Sequence, residues 1–226
     1  MATRREGERL RGLYAVTPEC DDVDELAARV SQCIAGGAAL VQYRAKRASG
    51  TAALVQARAL AAVCRAARVP LIINDSIELA AAVKADGVHV GRDDVSVREA
   101  RISLPDALIG VSCYADPERC RAAARDGADY VAIGSVFPSS TKPGAVRAPL
   151  ELLAMAREAS RLPVAAIGGI TTENARLAID AGADLLAVIS ALFDAPDVRA
   201  AARRFSDLFD TPPNGSPDVR TQPHPV

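Results

Sequence analysis

The ten residues RDGADYVAIG, at positions 125–134, carry the pattern that decides the fold. A segment with helical spacing of apolar residues runs up to Gly127, a small residue follows, and an apolar run begins at Tyr130. Glycine at such a junction is typical of a loop that leads from a helix into a strand. The same sequence pattern recurs in AGGAALVQ (35–42), KADGVHV (84–90) and DAGADLLAVIS (180–190). The chain therefore repeats a helix-to-strand unit.

Eight short apolar runs are strand candidates, and amphipathic segments of helical length separate them. Their near-continuous apolarity indicates strands of a parallel sheet that is buried on both faces. The runs are GLYAVT (12–17), LVQYR (40–44), PLIIND (70–75), GVHVG (87–91), LIGVSC (108–113), YVAIGSV (130–136), PVAAIGG (163–169) and LLAVIS (185–190). Several helical segments carry start signals, such as Asp21 and Asp22, or Asp116 before Pro117.

Strict alternation of strand and helix, repeated over about 200 residues, predicts an α/β protein that forms a single-domain (β/α)8 TIM barrel. An open, doubly wound sheet is the alternative. It is disfavoured because no G-x-G-x-x-G follows the first strand and the sequence contains no P-loop. We expect a flexible N-terminus at 1–11, the catalytic barrel at 12–210, and a disordered, Pro-rich tail at 211–226.

The composition excludes several classes of protein. The 226 residues are 50% hydrophobic and 24% charged, with a net charge of −1, which fits a globular protein and argues against a nucleic-acid binder. No apolar run reaches the roughly 20 residues of a membrane helix, and no secretory signal opens the chain. Five cysteines without a C-x-x-C pair, beside only two histidines, predict reduced thiols in a cytoplasmic protein and no zinc site.

Polar residues stand where the predicted strands end, which is where TIM barrels place their active sites. Because side chains alternate along a strand, Gln42, Arg44 and Lys46 share one face of the second run. Val41 and Tyr43 share the other face, towards the helices. Two cations and an amide at the barrel mouth favour an anionic ligand, since unpaired buried charge is costly. An ion pair with a barrel carboxylate is the alternative.

The third and fourth runs bring carboxylates to the same mouth. Asn74 and Asp75 end the third run, and Asp93 and Asp94 follow the fourth. Neighbouring strands lie about 4.8 Å apart, so carboxylates from both can reach one ion. Two hard oxygen donors, completed by water and phosphate, predict a Mg²⁺ site. Spacing alone does not separate Asp93 from Asp94, and a helix N-cap is the alternative role for Asp75.

Three further segments complete the candidate site. Ser112 ends the fifth run, where its hydroxyl would bind a ligand or be satisfied within the barrel. The loop after the sixth run contains Ser139, Ser140, Thr141 and Lys142. Its hydroxyls and its lysine are suited to binding a phosphate or a polar heterocycle, and a solvated surface loop is the alternative. The ends of the last two runs predict a backbone phosphate site, or packing and turn glycines, at Gly168, Gly169, Ile189 and Ser190. His89, within the fourth run, is interpreted as a buried structural histidine.

Seven segments occur in a family-specific order: QYRAK, IINDSIELA, ADGVHVGRDD, IGVS, DYVAIGSVFPSSTKPGA, AAIGGI and AVISAL. With them the sequence resembles the thiamine phosphate synthase family over roughly residues 12–209. The resemblance implies that 4-amino-2-methyl-5-pyrimidinylmethyl diphosphate and thiazole phosphate combine to thiamine phosphate, releasing pyrophosphate. It implies small-molecule partners and Mg²⁺ as cofactor, and leaves open a homo-oligomer.

The resemblance also implies roles for individual residues. The segment that contacts the pyrimidine pyrophosphate is Gln42, Tyr43, Arg44, Ala45 and Lys46, together with Asn74. Asp75 and Asp94 match the Mg²⁺ ligands, and the further pyrophosphate contacts are Ser112 and Lys142. The thiazole-phosphate side is formed by Ser139, Ser140, Thr141, Gly168, Gly169, Ile189 and Ser190. The residues expected to act in catalysis are Arg44, Lys46, Ser112 and Lys142.

Two positions depart from the family pattern. Ala45 stands where many relatives have Glu, and Ser139-Ser140-Thr141 stands where they have Thr-x-Thr. By alternation the first position faces away from the site, and the second keeps its hydroxyls, so no needed group is lost.

Two other functions remain as rivals. A thiazole tautomerase-like isomerase would have a proton-shuttling residue, expected to be His, near the sixth strand, where this chain has GSV (134–136). A non-catalytic module that binds thiazole or thiamine phosphate would have no use for the metal carboxylates. The predicted synthase reaction requires no general base, because the thiazole nitrogen carries no proton, and ionisation of the pyrimidine pyrophosphate is expected to come first.

Overall fold

Eight parallel strands close into a barrel in the order of the sequence, with β1 hydrogen-bonded to both β2 and β8. The computed structural model describes residues 10–138 and 147–210. The predicted (β/α)8 barrel is confirmed. Its strands are β1 (Gly12–Val16), β2 (Ala38–Tyr43), β3 (Leu71–Asn74), β4 (Gly87–Val90), β5 (Leu108–Tyr114), β6 (Tyr130–Gly134), β7 (Val164–Ile167) and β8 (Leu185–Val188).

A helix follows each strand in the described ranges, and a further helix follows the eighth. They are α1 (Val23–Ala35), α2 (Gly50–Ala67), α3 (Ile77–Val83), α4 (Val97–Ser103), α5 (Pro117–Arg125), α6 (Glu151–Ser160), α7 (Ala175–Asp180), α8 (Ser190–Phe193) and α9 (Val198–Asp210). Residues 1–9, 139–146 and 211–226 lie outside the described ranges, and with them the predicted tail and nearly all of the predicted N-terminal extension. Arg11, from that extension, donates a hydrogen bond to Phe209 O at 2.8 Å.

The predicted helix starts are confirmed at α1 and α5. The Asp22 carboxylate accepts hydrogen bonds from two amides in the first turn of α1. Asp116 does the same for α5, with Pro117 as the first helical residue. Each carboxylate satisfies amides that have no partner within the helix.

The junction before β4 differs from the expected glycine cap. Lys84, rather than a glycine, takes the left-handed conformation after α3, with φ of 52°. Gly87 already belongs to β4, where a β-carbon would lie 2.2 Å from Leu108 O. The glycine is therefore required by close packing of neighbouring strands and not by the helix end.

Aspartates at three of the helix-to-strand junctions hold the lower rim of the barrel. Asp86, just before β4, accepts a hydrogen bond at 2.9 Å from the amide of Leu71, the first residue of β3. The bond connects the start of one strand with the residue that precedes the next strand. The equivalent bonds run from Ile109 N to Asp129 at 2.8 Å and from Val164 N to Asp184 at 3.0 Å. The A-D dipeptide of the repeated pattern is thus a structural device at the end of the barrel opposite the candidate site.

The interior of the barrel is filled by inward-facing side chains that include two tyrosines. Tyr14 and Tyr130 are both fully buried, and their rings meet edge to face at 5.8 Å between centroids. Gly110 makes room for Tyr130, because a β-carbon there would lie 2.0 Å from its ring. Outward-facing residues pack instead against the surrounding helices in a second, larger core. This alternation fixes which strand-end residues point into the mouth.

Candidate active site

The side chains at the end of β2 point in the predicted directions. Gln42 is buried and points inward, where its Nε2 donates to Tyr14 Oη at 2.5 Å. Tyr43 points the other way, and its hydroxyl donates to Gln56 Oε1 of α2 at 2.8 Å. Ala45 likewise packs against the core between strands and helices. The side chains of Tyr43 and Ala45 therefore lie away from the mouth, and only their backbone remains for a role in substrate binding.

The loop after β2 is held by the residues that follow β1. Thr17 Oγ1 accepts a hydrogen bond from Arg44 N at 2.9 Å. The Glu19 carboxylate accepts hydrogen bonds from Lys46 N at 2.7 Å and Arg47 N at 3.1 Å. Burial raises the pKa of Glu19, but the two amides and the guanidinium groups of Arg44 and Arg47 outweigh it, so the pKa lies below its usual value. Glu19 therefore stays ionised and fixes this loop.

Both predicted cations that follow β2 have a carboxylate close by. Lys46 Nζ lies 2.9 Å from Asp75 Oδ2, at the end of the neighbouring strand β3. Arg44 Nη1 lies 4.0 Å from Glu19 Oε1. The alternative interpretation, an ion pair with a barrel carboxylate, is thus confirmed for Lys46. An anionic ligand at these cations stays a prediction.

Asp75 and Asp94 form a carboxylate pair at the ends of β3 and β4. Asp94 Oδ2 accepts a hydrogen bond from Gly91 N at 2.7 Å. Burial raises the pKa of Asp94, and the neighbouring Asp75 carboxyl raises it further, because a nearby negative charge disfavours the ionisation of Asp94. Asp93 is exposed, whereas Asp94 is half-buried, so the structure favours Asp94 of the two.

Asp75 does not cap α3, which corrects the alternative role considered for it. Ser76 is the N-cap, and its hydroxyl accepts a hydrogen bond from Leu79 N at 3.1 Å. Asp75 itself takes a left-handed backbone conformation with φ of 65°, which is uncommon for a residue other than glycine but best tolerated by Asp and Asn. Its carboxylate is thereby directed to Lys46. Asn74, one residue earlier, lies opposite His89 in the strand ladder and shares the inward face of β3 with Ile72.

A chain of hydrogen bonds through the barrel connects Gln42 with Ser112. From Gln42 the chain passes to Tyr14, whose hydroxyl lies 2.7 Å from that of Tyr130. Tyr130 Oη lies 3.1 Å from His89 Nδ1, and His89 Nε2 lies 2.9 Å from Ser112 Oγ. Burial lowers the pKa of His89 to about 4, against a smaller opposing effect of Asp75. His89 is thus neutral at pH 7 and structural, as the sequence indicated.

The ends of β7 and β8 carry the predicted phosphate-binding segments. Gly168 and Gly169 have φ of 107° and 61°, and a β-carbon on Gly169 would lie 2.0 Å from Pro138 O. The glycines are therefore required by the turn and by close packing, in agreement with their structural alternative, and a phosphate role stays a prediction. Ile189 packs against the barrel interior, and Ser190 begins the short helix α8.

The remaining predicted residues lie on the loop after β6. Ser139, Ser140, Thr141 and Lys142 are outside the described residues, so their roles stay predictions. Residues 10–138 and 147–210 contain no group of three or more His, Cys, Asp or Glu side chains that could hold a metal ion. No helix in these ranges is long and apolar enough to cross a membrane.

Sequence reasoning missed four residues that support the site: Thr17, Glu19, Tyr14 and Tyr130. Thr17 and Glu19 directly follow β1, so the rule that active sites gather at strand ends could have flagged them. Tyr14 and Tyr130 lie within apolar runs, and no sequence pattern marks their hydroxyls as partners of Gln42 and His89.

Comparison with known proteins agrees with this geometry. The model of the family described as "Thiamine monophosphate synthase" matches residues 13–192. This chain belongs to the thiamine monophosphate synthase family. A thiamine-phosphate synthase of Azoarcus is 58% identical over 204 residues, which are 90% of this chain and 99% of the relative. One of Thiobacillus denitrificans is 55% identical over 203 residues, 89% of this chain and 96% of the relative.

The fold of the family is also known from solved structures. Thiamine phosphate pyrophosphorylase from Pyrococcus furiosus superposes with a TM-score of 0.80 at 33% identity, covering 89% of this chain and 96% of that one. The barrel of this chain therefore has a fold similar to that of this solved relative.

Proposed function

We propose that this chain is a thiamine phosphate synthase that joins 4-amino-2-methyl-5-pyrimidinylmethyl diphosphate to thiazole phosphate and releases pyrophosphate. The observation that carries the proposal is the juxtaposition of Lys46 with Asp75, and of Asp75 with Asp94, at adjacent strand ends. Cations and carboxylates side by side suit a metal-bound pyrophosphate, in which each sign of charge finds a partner. The high identity to curated thiamine-phosphate synthases supports the same conclusion.

The donor set at the mouth fits Mg²⁺. Asp75 and Asp94 supply only carboxylate oxygens, and the neighbouring Asp75 raises the pKa of Asp94, so a divalent cation between them would favour the charged form of Asp94. Mg²⁺ commonly binds through one or two carboxylates and keeps water and phosphate oxygens in its remaining positions. When bound, it would neutralise charge that develops on the pyrophosphate leaving group.

Side chains of this protein would bind and orient the pyrimidine pyrophosphate and stabilise the leaving group. Arg44 and Lys46 from the loop after β2, with Lys142 from the loop after β6, would bind the pyrophosphate oxygens and stabilise the charge that grows as the carbon–oxygen bond breaks. Gln42 and Asn74, on inward faces of β2 and β3, would orient the pyrimidine pyrophosphate. Ser112 would donate its hydroxyl to the leaving group.

Thiazole phosphate would bind on the opposite side of the mouth, at the ends of β6, β7 and β8. TIM barrels often bind phosphate between the last two strand-end loops and a short extra helix, which here are the segments with Gly168, Gly169, Ile189 and Ser190. The predicted hydroxyl group of this side comprises Ser139, Ser140 and Thr141.

The reaction would begin with ionisation. The thiazole nitrogen is already nucleophilic and carries no proton, so the site needs no general base. The electron-rich aminopyrimidine can support the carbocation that remains after pyrophosphate leaves. Electron-withdrawing substituents on the pyrimidine should therefore slow turnover strongly, and unchanged turnover would contradict this order of steps.

Product identification by mass spectrometry tests the function itself. With both substrates and Mg²⁺, we expect thiamine phosphate, and none when EDTA removes the metal. Isomerised thiazole phosphate without coupling would indicate a tautomerase, and tight binding without any product would indicate a binding module. The five free cysteines of the described chain are compatible with the cytoplasmic location that we propose for the enzyme.

A further inference from the structure

We infer that Arg119 is a positioning residue that holds Ser112 and the Asp94 turn in register. This inference rests on the proposed function of those two residues. Arg119, in α5, donates from Nε to Ser112 O at 2.9 Å and from Nη2 to Gly91 O at 3.0 Å. One planar guanidinium thereby connects the end of β5 with the residue that follows β4. Both bonds go to backbone carbonyls of site-bearing segments.

Gly91 transmits this restraint to the carboxylate. The residue whose carbonyl Arg119 binds is the same residue whose amide binds Asp94 Oδ2, at 2.7 Å. The approach is close, because a β-carbon on Gly91 would lie 3.0 Å from that carboxylate oxygen. A shift of the Gly91 peptide would therefore move Asp94 relative to Asp75.

Tyr114 contacts both Arg119 and the turn that follows β4. Its ring lies 5.8 Å from the Arg119 guanidinium and 4.6 Å from that of Arg92, so two cations flank one aromatic side chain. Arg92 N donates to the Tyr114 hydroxyl at 3.3 Å. Tyr114 has φ of 58°, a left-handed conformation that directs the chain at the end of β5. The turn after β4 is thus held at Gly91 by Arg119 and at Arg92 by Tyr114.

The geometry requires arginine at this position. A guanidinium offers several donors in a rigid plane and can bind two carbonyls at once, whereas a lysine ammonium on its flexible stem would reach one or the other. Arg119→Lys keeps the charge and the aliphatic stem but loses the double contact. Arg119→Met keeps the length of the side chain and loses every donor.

Metal binding and metal-dependent turnover together test the inference. Mn²⁺ binding to the protein is followed by the loss of the free-ion signal in electron paramagnetic resonance, without pyrophosphate because that anion would itself chelate the metal. The Mg²⁺ concentration for half-maximal turnover is measured separately. For Arg119→Met we expect both the Mn²⁺ dissociation constant and this Mg²⁺ concentration to rise about tenfold. Saturating Mg²⁺ should restore kcat only in part, because Ser112 loses its support as well. For Arg119→Lys we expect a rise of at least threefold.

Arg121→Met is the matched control. Arg121 lies two residues further along α5, and its guanidinium pairs with exposed Glu118. We expect its metal constants to equal those of the wild type. If Arg119→Met fails to fold by circular dichroism, Arg119→Lys decides the question.

The outcomes distinguish the proposed function of the protein from the positioning role of Arg119. A wild-type protein that forms no thiamine phosphate would overturn the proposed function. An active wild type, combined with Arg119 variants whose metal constants match those of Arg121→Met, would overturn the positioning role alone. A lower kcat with unchanged metal constants would also overturn it, since a general loss of stability would have the same effect.

Discussion

The buried, neutral His89 predicts that part of the protein's stability is lost in mild acid. Its pKa is about 4 in the folded state and 6.5 without burial, so between these values the unfolded chain binds more protons than the folded one. The free energy of unfolding therefore falls as the pH falls through this window and is unaffected well above 6.5. Between pH 7 and pH 5 the pKa difference corresponds to a loss of about 2 kcal/mol.

Urea unfolding of the wild type and of His89→Gln, at pH 7 and at pH 5, measures this effect. Carboxylates that titrate in the same range are present in both proteins, so the difference between the two pH dependences isolates the imidazole. We expect the wild type to lose about 2 kcal/mol more than His89→Gln. Equal losses would refute the assignment of a buried, neutral His89. If the variant does not fold, the nuclear magnetic resonance titration of the His89 ring protons decides, since they should not respond to pH above about 5.

Four further substitutions have defined outcomes. Ser76→Ala should lower the free energy of unfolding in urea by about 1 kcal/mol, because it removes the N-cap of α3. Asp75→Asn, one residue earlier, should change stability by less than about 0.5 kcal/mol, since its ion pair is exposed, yet lower kcat more than about a hundredfold in a thiamine phosphate assay. Asp184→Ala should lower the free energy of unfolding by about 2 kcal/mol in thermal or urea unfolding, because Val164 N and Arg157 lose a buried carboxylate. The control Asp180→Ala, at an exposed residue, should lower it by less than about 0.5 kcal/mol. Lys142→Ala should lower kcat by orders of magnitude with an unchanged circular dichroism spectrum.

The fold was predictable because the strands and helices depend on patterns of neighbouring residues in the sequence. Buried parallel strands need continuous apolar runs, and helix starts need capping side chains such as Asp22 and Asp116, so both leave a pattern in the sequence. The direction of Gln42, inward, and of Tyr43, outward, followed from the alternation of side chains along β2. Even the A-D pattern at the strand starts was visible, although its role in bonding neighbouring strands was not.

The contacts between distant segments were not predictable. Glu19 binds the amides of the β2 loop across 27 residues of sequence, and nothing near it marks that partner. Tyr14 and Tyr130 stand 116 residues apart and meet only because the barrel closes. The Asp75 cap was a wrong alternative for a related reason: Asp75 and Ser76 are both good caps by type, and the left-handed backbone at Asp75 leaves the cap to Ser76.

Asp93 and Asp94 offer the most direct test of the central claim that the mouth between β3 and β4 activates pyrophosphate. The two residues are adjacent and of one type, but Asp94 lies beside Asp75 and bonds Gly91, whereas Asp93 is exposed. The measurement is pyrophosphate release at saturating substrates and fixed Mg²⁺ by the wild type, Asp94→Asn and Asp93→Asn. We expect a loss of more than about a hundredfold for Asp94→Asn and of less than about threefold for Asp93→Asn. Equal rates for the two variants, or a greater loss for Asp93→Asn, would contradict it.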